Sequence, residues 1–140
     1  MVDWIIEVLT NFSCGDQTFF TTVSLMDRYF KACPEPLPVT KLHVIGVTSL
    51  FVASKFEDIN PLRMQTVDEK ISQKKIPIQD IKQQEVDILK AVKYQVHAPT
   101  ILDFLSHFLV EVLGIEIKDS TETQKKQQRA LNFVQEKKQR

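Results

Sequence analysis

Two charged side chains stand where charge is costly. Glu85 lies four residues after Ile81, three before Ile88 and four before Leu89, inside the apolar stripe of an amphipathic helix. Lys55 follows Phe51 and Val52 by four and three residues, near the end of the most apolar stretch of the chain. A charge in such company must reach water along its own stem, pair with an opposite charge, or face a partner molecule. Helical spacing alone leaves the three open. The remaining reactive residues form no reacting set. No serine or cysteine stands in a nucleophile motif, and Glu57-Asp58 at a helix end reads as a solvated pair rather than an acid–base couple. His43, His97 and His107 fall on different segments, and neither Cys14 nor Cys33 joins another ligand at zinc spacing. No metal, no cofactor and no catalysis are expected.

The elements that must carry Lys55 and Glu85 are helices. Thr40 to Asp58 is apolar on nearly every side, with Leu42, Val44, Ile45, Val47, Leu50, Phe51, Val52, Ala53 and Phe56, so it is expected to be buried, with Thr40 as N-cap after Pro38. Gly46, Ser49, Ala53 and Ser54 recur at helical spacing and let neighbours approach, and Pro61 discourages continuation. The run is too short and too interrupted for a bilayer span, which needs about 20 apolar residues. Upstream, Trp4, Ile5, Val8, Leu9 and Phe12 make one amphipathic stripe without a start signal, expected to begin part-way through a helix and to fray. Asp16 is placed to cap a second helix striped by Phe19, Val23, Met26 and Phe30, and the prolines of Cys33 to Pro38 stiffen the link to the central helix. Downstream, Met64 to Ile71 has room for one short helix. Pro77 opens a fourth long one striped by Ile78, Ile81, Ile88, Leu89 and Val92. A fifth, from Thr100, carries Ile101, Leu102, Phe104, Leu105, Phe108, Leu109, Val112 and Leu113, with Gly114 as its stop.

A chain of 140 residues, 43% hydrophobic and 26% charged, has the composition of a globular domain with one core. Lys plus Arg and Asp plus Glu balance at 18 each, which gives no global attraction to nucleic acid or to an acidic membrane surface. Two cysteines make no disulfide framework, and Asp3 and Glu7 interrupt what would be the apolar region of a signal peptide. A nuclear or cytoplasmic location is expected.

In order along the chain, Val2-Asp3-Trp4-Ile5-Ile6-Glu7-Val8, Met26-Asp27-Arg28-Tyr29-Phe30, Lys41-Leu42, Ala53-Ser54-Lys55-Phe56-Glu57-Asp58, Glu85 to Lys90 and Ala98-Pro99-Thr100 resemble the N-terminal cyclin box, most closely that of the A/B-type cell-cycle cyclins. The resemblance implies an all-α five-helix bundle around a buried central helix, residues 1–114, that binds and activates a cyclin-dependent protein kinase and catalyses nothing itself. It further implies that residues 115–140 are a linker and the start of a second helical repeat, with Ala130-Leu131-Asn132-Phe133-Val134 resembling that repeat's first helix. Lys55 and Glu85 match the family's grip on the kinase C-helix, within a kinase-binding set of Lys55, Phe56, Glu57, Glu85 and Tyr94. Trp4, Glu7 and Leu42 match a groove that recruits substrates and inhibitors through a basic-plus-leucine motif. His43 stands where the family has glutamine, and the arginine that pairs with the aspartate at Asp27 would fall before Met1. Two other readings share the fold: a promoter-binding module of the TFIIB type, against which the balanced charge and the Lys55, Glu85 pair argue, and a scaffold that has lost kinase binding.

Overall fold

The computed structural model describes residues 1–33 and 36–113. Among them are six α-helical segments and no strand: α1 Val2–Asn11, α2 Asp16–Ala32, α3 Val39–Glu57, α4 Met64–Thr66 running into a π-helical turn Val67–Ile71, α5 Ile78–Ala91 and α6 Ile101–Leu113. The all-helical expectation holds, and the short helix falls where the sequence had room for one. The stop at Gly114 and the segment 115–140 lie outside the described residues.

The central helix is α3, packed by α2, α5 and the π-helical turn. From Ile45 to Ser54 every residue is buried. The expectation that it is too short and interrupted to span a bilayer is corrected: it is the one described helix long and apolar enough by length and composition, and its middle is buried in protein. Fully burying side chains such as Ile45 and Leu50 stabilises by roughly 1.5–3 kcal/mol each. Gly46 does what its size suggested. A Cβ there would meet the Met1 sulfur at 2.8 Å, so the glycine admits the start of α1. Two further expectations need correction. The helix begins at Val39 with Pro38 in the cap position, not at Thr40, because proline's fixed φ already leads into the first turn. Phe56 is 53% exposed, because the last turn of α3 emerges from between its neighbours.

α2 buries a face that sequence patterning did not single out. Thr18, Thr21, Thr22, Leu25 and Met26 point inward, while Phe19, Val23 and Phe30 are only half-buried. The threonines are tolerated there because their hydroxyls are paired. Thr18 donates to Asp58 Oδ1 at 2.9 Å, Thr21 to Glu57 Oε1 at 2.7 Å, and Thr22 back to the Thr18 carbonyl at 2.6 Å. Asp58 also accepts from the Gly15 amide at 3.0 Å and the Ser54 hydroxyl at 2.8 Å, and Ser54 Oγ in turn accepts from the Leu62 amide at 3.0 Å. The expectation of a solvated Glu57-Asp58 pair is therefore corrected: these carboxylates tie the end of α3 to the start of α2. Gly15, not Asp16, occupies the cap position of α2, and Asp16 sits in the first turn, where a negative charge suits the helix dipole.

α5 faces α3 with Ile81, Gln84 and Ile88, whereas Ile78, expected in the stripe, lies at the exposed helix start. α6 begins with a reciprocal cap. The Thr100 amide donates to Asp103 Oδ2 at 2.7 Å and the Asp103 amide donates to Thr100 Oγ1 at 3.3 Å. Gln17 of α2 donates to both Thr100 Oγ1 at 3.2 Å and Asp103 Oδ1 at 3.0 Å, which seats α6 against α2.

Asp58→Ala would strip a charged acceptor from two hydroxyls and an amide that are poorly placed to find water. It should lower unfolding free energy by about 1.5–3 kcal/mol, measured by urea denaturation, and Asp58→Asn should recover only part of that loss. Asp103 gives a pH signature. The hydrogen bond from the Thr100 backbone, against a smaller opposing effect of burial, holds its carboxyl below the ordinary value. A depressed folded-state value means that the stabilisation is complete above the unfolded value, about 4, and is lost as pH falls through the folded one. Thermal unfolding followed by circular dichroism should show an acid loss of stability below about pH 4 that Asp103→Asn flattens.

Candidate functional site

The last turn of α3 and the middle of α5 bring Lys55 and Glu85 together. The Lys55 ammonium forms an ion pair with Glu85 Oε1. The side chains are 38% and 19% exposed, respectively, so the pair sits at the rim of the bundle, with the lysine toward water. Beneath it lies an apolar cluster of Leu25, Val52, Ala53, Ile88 and Val92. Val52 precedes Lys55 by one turn and Ile88 follows Glu85 by one turn, so the core that buries the two helices also fixes their backbones at this point. The ammonium also lies over the Phe51 ring, 4.3 Å from the centroid. Internal pairing and access to solvent, separate possibilities from spacing alone, are both realised.

Beside the pair an aromatic stack stands out of the surface. The Phe56 ring packs on the His97 ring with centroids 6.2 Å apart and planes 21° from parallel. His97 belongs to the link between α5 and α6, and that link is held by Arg28 of α2. Its guanidinium donates to the carbonyls of Gln95 at 2.5 Å, Val96 at 3.2 Å and Val92 at 3.5 Å. A cation at the end of α5 also complements the helix dipole. Such anchoring is needed, because Lys93 and Tyr94 take left-handed backbone angles, with φ of 54° and 59°. Each costs of order 1–3 kcal/mol for a residue with a side chain. The Tyr94 amide donates to the Leu89 carbonyl at 2.8 Å, which closes α5, and its side chain is left 67% exposed. Glu57 turns toward α2 through Thr21. The structure thus joins Lys55 to Glu85 and Phe56 to His97, leaves Tyr94 projecting from the following turn, and engages Glu57 inside the bundle.

The second predicted set lies where α1 meets the start of α3. The Trp4 and His43 rings are 5.0 Å apart and tilted by 57°. Trp4, Leu42 and His43 are half-buried and Glu7 is exposed. The departure from glutamine at position 43 therefore places an imidazole directly against the tryptophan. Sequence reasoning did not find His97, Arg28 or the ring of Phe51 as parts of the first site. The i to i+4 spacing of Phe51 and Lys55 was a usable signal for the last; the other two act across the fold. His107 lies exposed on α6. Among the described residues no group of three or more His, Cys, Asp or Glu is placed to hold a metal ion.

The described residues thus form a helical bundle with a Lys55–Glu85 ion pair at one surface and a Trp4–His43 ring contact at another. Residues 1–97 match the cyclin N-terminal domain. The chain is 34% identical over 110 residues to Cyclin-A3-2 of Arabidopsis thaliana, covering 77% of this chain and 28% of that protein. It is 32% identical over 114 residues to Putative cyclin-F3-1 of Oryza sativa subsp. japonica, covering 81% and 28%. Against G2/mitotic-specific cyclin-B1 of Oryzias luzonensis it is 30% identical over 105 residues, covering 75% and 25%. The chain belongs to the cyclin family, and its all-helical bundle is the cyclin-box fold. It spans about a quarter of the length of these relatives.

Because the Lys55–Glu85 pair is open to solvent on one side, it should add little to the stability of the free chain. Lys55→Met is expected to change the unfolding free energy by about 1 kcal/mol or less, measured by urea denaturation.

Proposed function

We propose that the chain is a non-catalytic regulatory subunit that seats and activates a cyclin-dependent protein kinase in cell-cycle control. The observation that supports this reading best is the Lys55–Glu85 pair itself. Two helices set a carboxylate and an ammonium against one another at the rim of the core, with donor and acceptor capacity left over. An ammonium has three protons and a carboxylate about four acceptor positions, so each can still bond a partner's backbone. Exposed Phe56, next in sequence to Lys55 and stacked on His97, supplies apolar area of the kind a buried contact requires, and Tyr94 in the turn after α5 is exposed as well. Names of relatives such as G2/mitotic-specific cyclin agree with a role in cell division. The box proper is residues 1–114.

The mechanism follows from what a kinase needs. Phosphoryl transfer requires a strand lysine of the kinase to pair with a glutamate on its C-helix, so that the ATP phosphates are held in line. A surface that binds only the inward position of that helix adds its binding energy to the active state alone. Taking a kinase from about 1% to about 99% active requires roughly 5.5 kcal/mol of such preference. Lys55 and Glu85 supply the charged grip, and the neighbouring aromatics supply desolvation. The Trp4, Leu42, His43 and Glu7 surface is separate and serves docking of substrates or inhibitors, with Glu7 available to a basic residue and the Trp4 and Leu42 side chains to a leucine. Neither nucleic acid nor membrane takes part.

Truncating either charge leaves the other desolvated in the complex without its partner. Lys55→Ala and Glu85→Ala should each weaken kinase binding by roughly 2–5 kcal/mol, and the double variant should lose far less than the sum of the two. Calorimetric titration against a purified cyclin-dependent kinase measures this, with circular dichroism confirming unchanged helix content. Undiminished affinity in both single variants would contradict the assignment; retained fold with no kinase binding by the parent chain would favour the scaffold reading.

A further inference from the structure

The Lys55 ammonium has two anchors of different kinds. One is the Glu85 carboxylate on α5; the other is the face of the Phe51 ring, one turn back on its own helix, at 4.3 Å from the centroid. The Phe51 ring is only 5% exposed and belongs to the larger core cluster with Leu50, Ile45 and Ile81. Its position is set by the interior, not by solvent. A lysine side chain turns about four bonds, and a single carboxylate on another helix leaves its end free to swing about that contact. A ring face fixed by the core supplies a second point of attachment.

We propose that Phe51 is a positioning residue for this site: its ring face holds the Lys55 ammonium beside Glu85, so that both charges are already set when the partner arrives. This rests on the reading of Lys55 and Glu85 as the kinase-gripping pair, and adds a buried residue that touches no partner. The attraction is electrostatic, between the cation and the negative face of the ring. Any apolar side chain of similar volume would support the lysine stem; only an electron-rich face draws the ammonium. Such a contact strengthens when water is excluded, so it favours the bound state over the free one. Preorganisation of a flexible side chain lowers the cost of binding in the same direction.

Shape and electrostatics can be separated at position 51 with mono-, di- and trifluorinated phenylalanine, which fill nearly the same space while draining the negative face. In the full 140-residue chain, affinity for a purified cyclin-dependent kinase should fall stepwise along the series, by about 3- to 30-fold in all. In a Lys55→Met chain the same series should be flat at a weaker affinity. A flat series in the parent, or an equal slope in the Lys55→Met chain, overturns the inference. A Lys55→Met chain that binds as tightly as the parent overturns instead the reading on which it rests. The free chain provides an independent check without any kinase. The ε-methylene protons of Lys55 should show an upfield ring-current displacement by NMR, diminishing along the series, and its absence from the parent overturns the inference.

Discussion

Burial of α3 on all sides is the constraint on which the rest of the molecule depends. Ten consecutive residues, Ile45 to Ser54, are inside the protein. A helix so enclosed takes small hydroxyl residues such as Thr48 and Ser49 in its middle, but its charged residues must lie where it emerges. At its C-terminal end they do so in quick succession. Ser54 and Asp58 turn inward to bind α2 and the Leu62 amide, Glu57 takes the Thr21 hydroxyl, and Lys55 and Phe56 are left facing out. Residues that hold the bundle and residues that face out are thus divided within five positions, according to which side of the helix each one faces.

The same packing fixes the backbones that carry the surface proposed for the kinase. Glu85 comes from α5, which is held to α3 by Ile81 and Ile88, both fully buried. His97 and Tyr94 come from a link whose left-handed turn would be costly by itself, and Arg28 offsets that cost by bonding three of its carbonyls. The end of α3, the middle of α5 and the link after α5 are therefore each held by groups inside the bundle. On the proposed function, binding energy can then go into selecting a conformation of the kinase rather than into ordering this surface.

Much of this is legible in the amino-acid sequence. Four amphipathic helices, the apolar central one and the small-residue approach at Gly46 follow from periodicity, composition and size. Lys55 and Glu85 are visible because each breaks an apolar stripe. Their pairing is not visible from spacing, since they lie on different helices; family resemblance suggests it, and the packing of α5 on α3 brings the two groups into contact. The inward face of α2 is obscured for a physical reason. Threonine reads as neutral on a hydropathy pattern and becomes a core residue only when acceptors such as Asp58 and Glu57 arrive from elsewhere in the chain. Phe56 misleads in the opposite direction, since local composition does not reveal where a buried helix comes out. α6 likewise reads as very apolar, yet Ile101, Phe104, Phe108 and Val112 are exposed among the described residues.

The central claim is that a kinase sits on the end of α3 together with α5 and the link that follows it. Hydrogen–deuterium exchange of the full chain, alone and with a purified cyclin-dependent kinase, tests this most directly. Exchange slowed at residues 54–58 and 85–97, with α1 unaffected, is the predicted result. Protection confined to α1 and the start of α3, or no protection at either end of α3 in a complex that demonstrably forms, would contradict it.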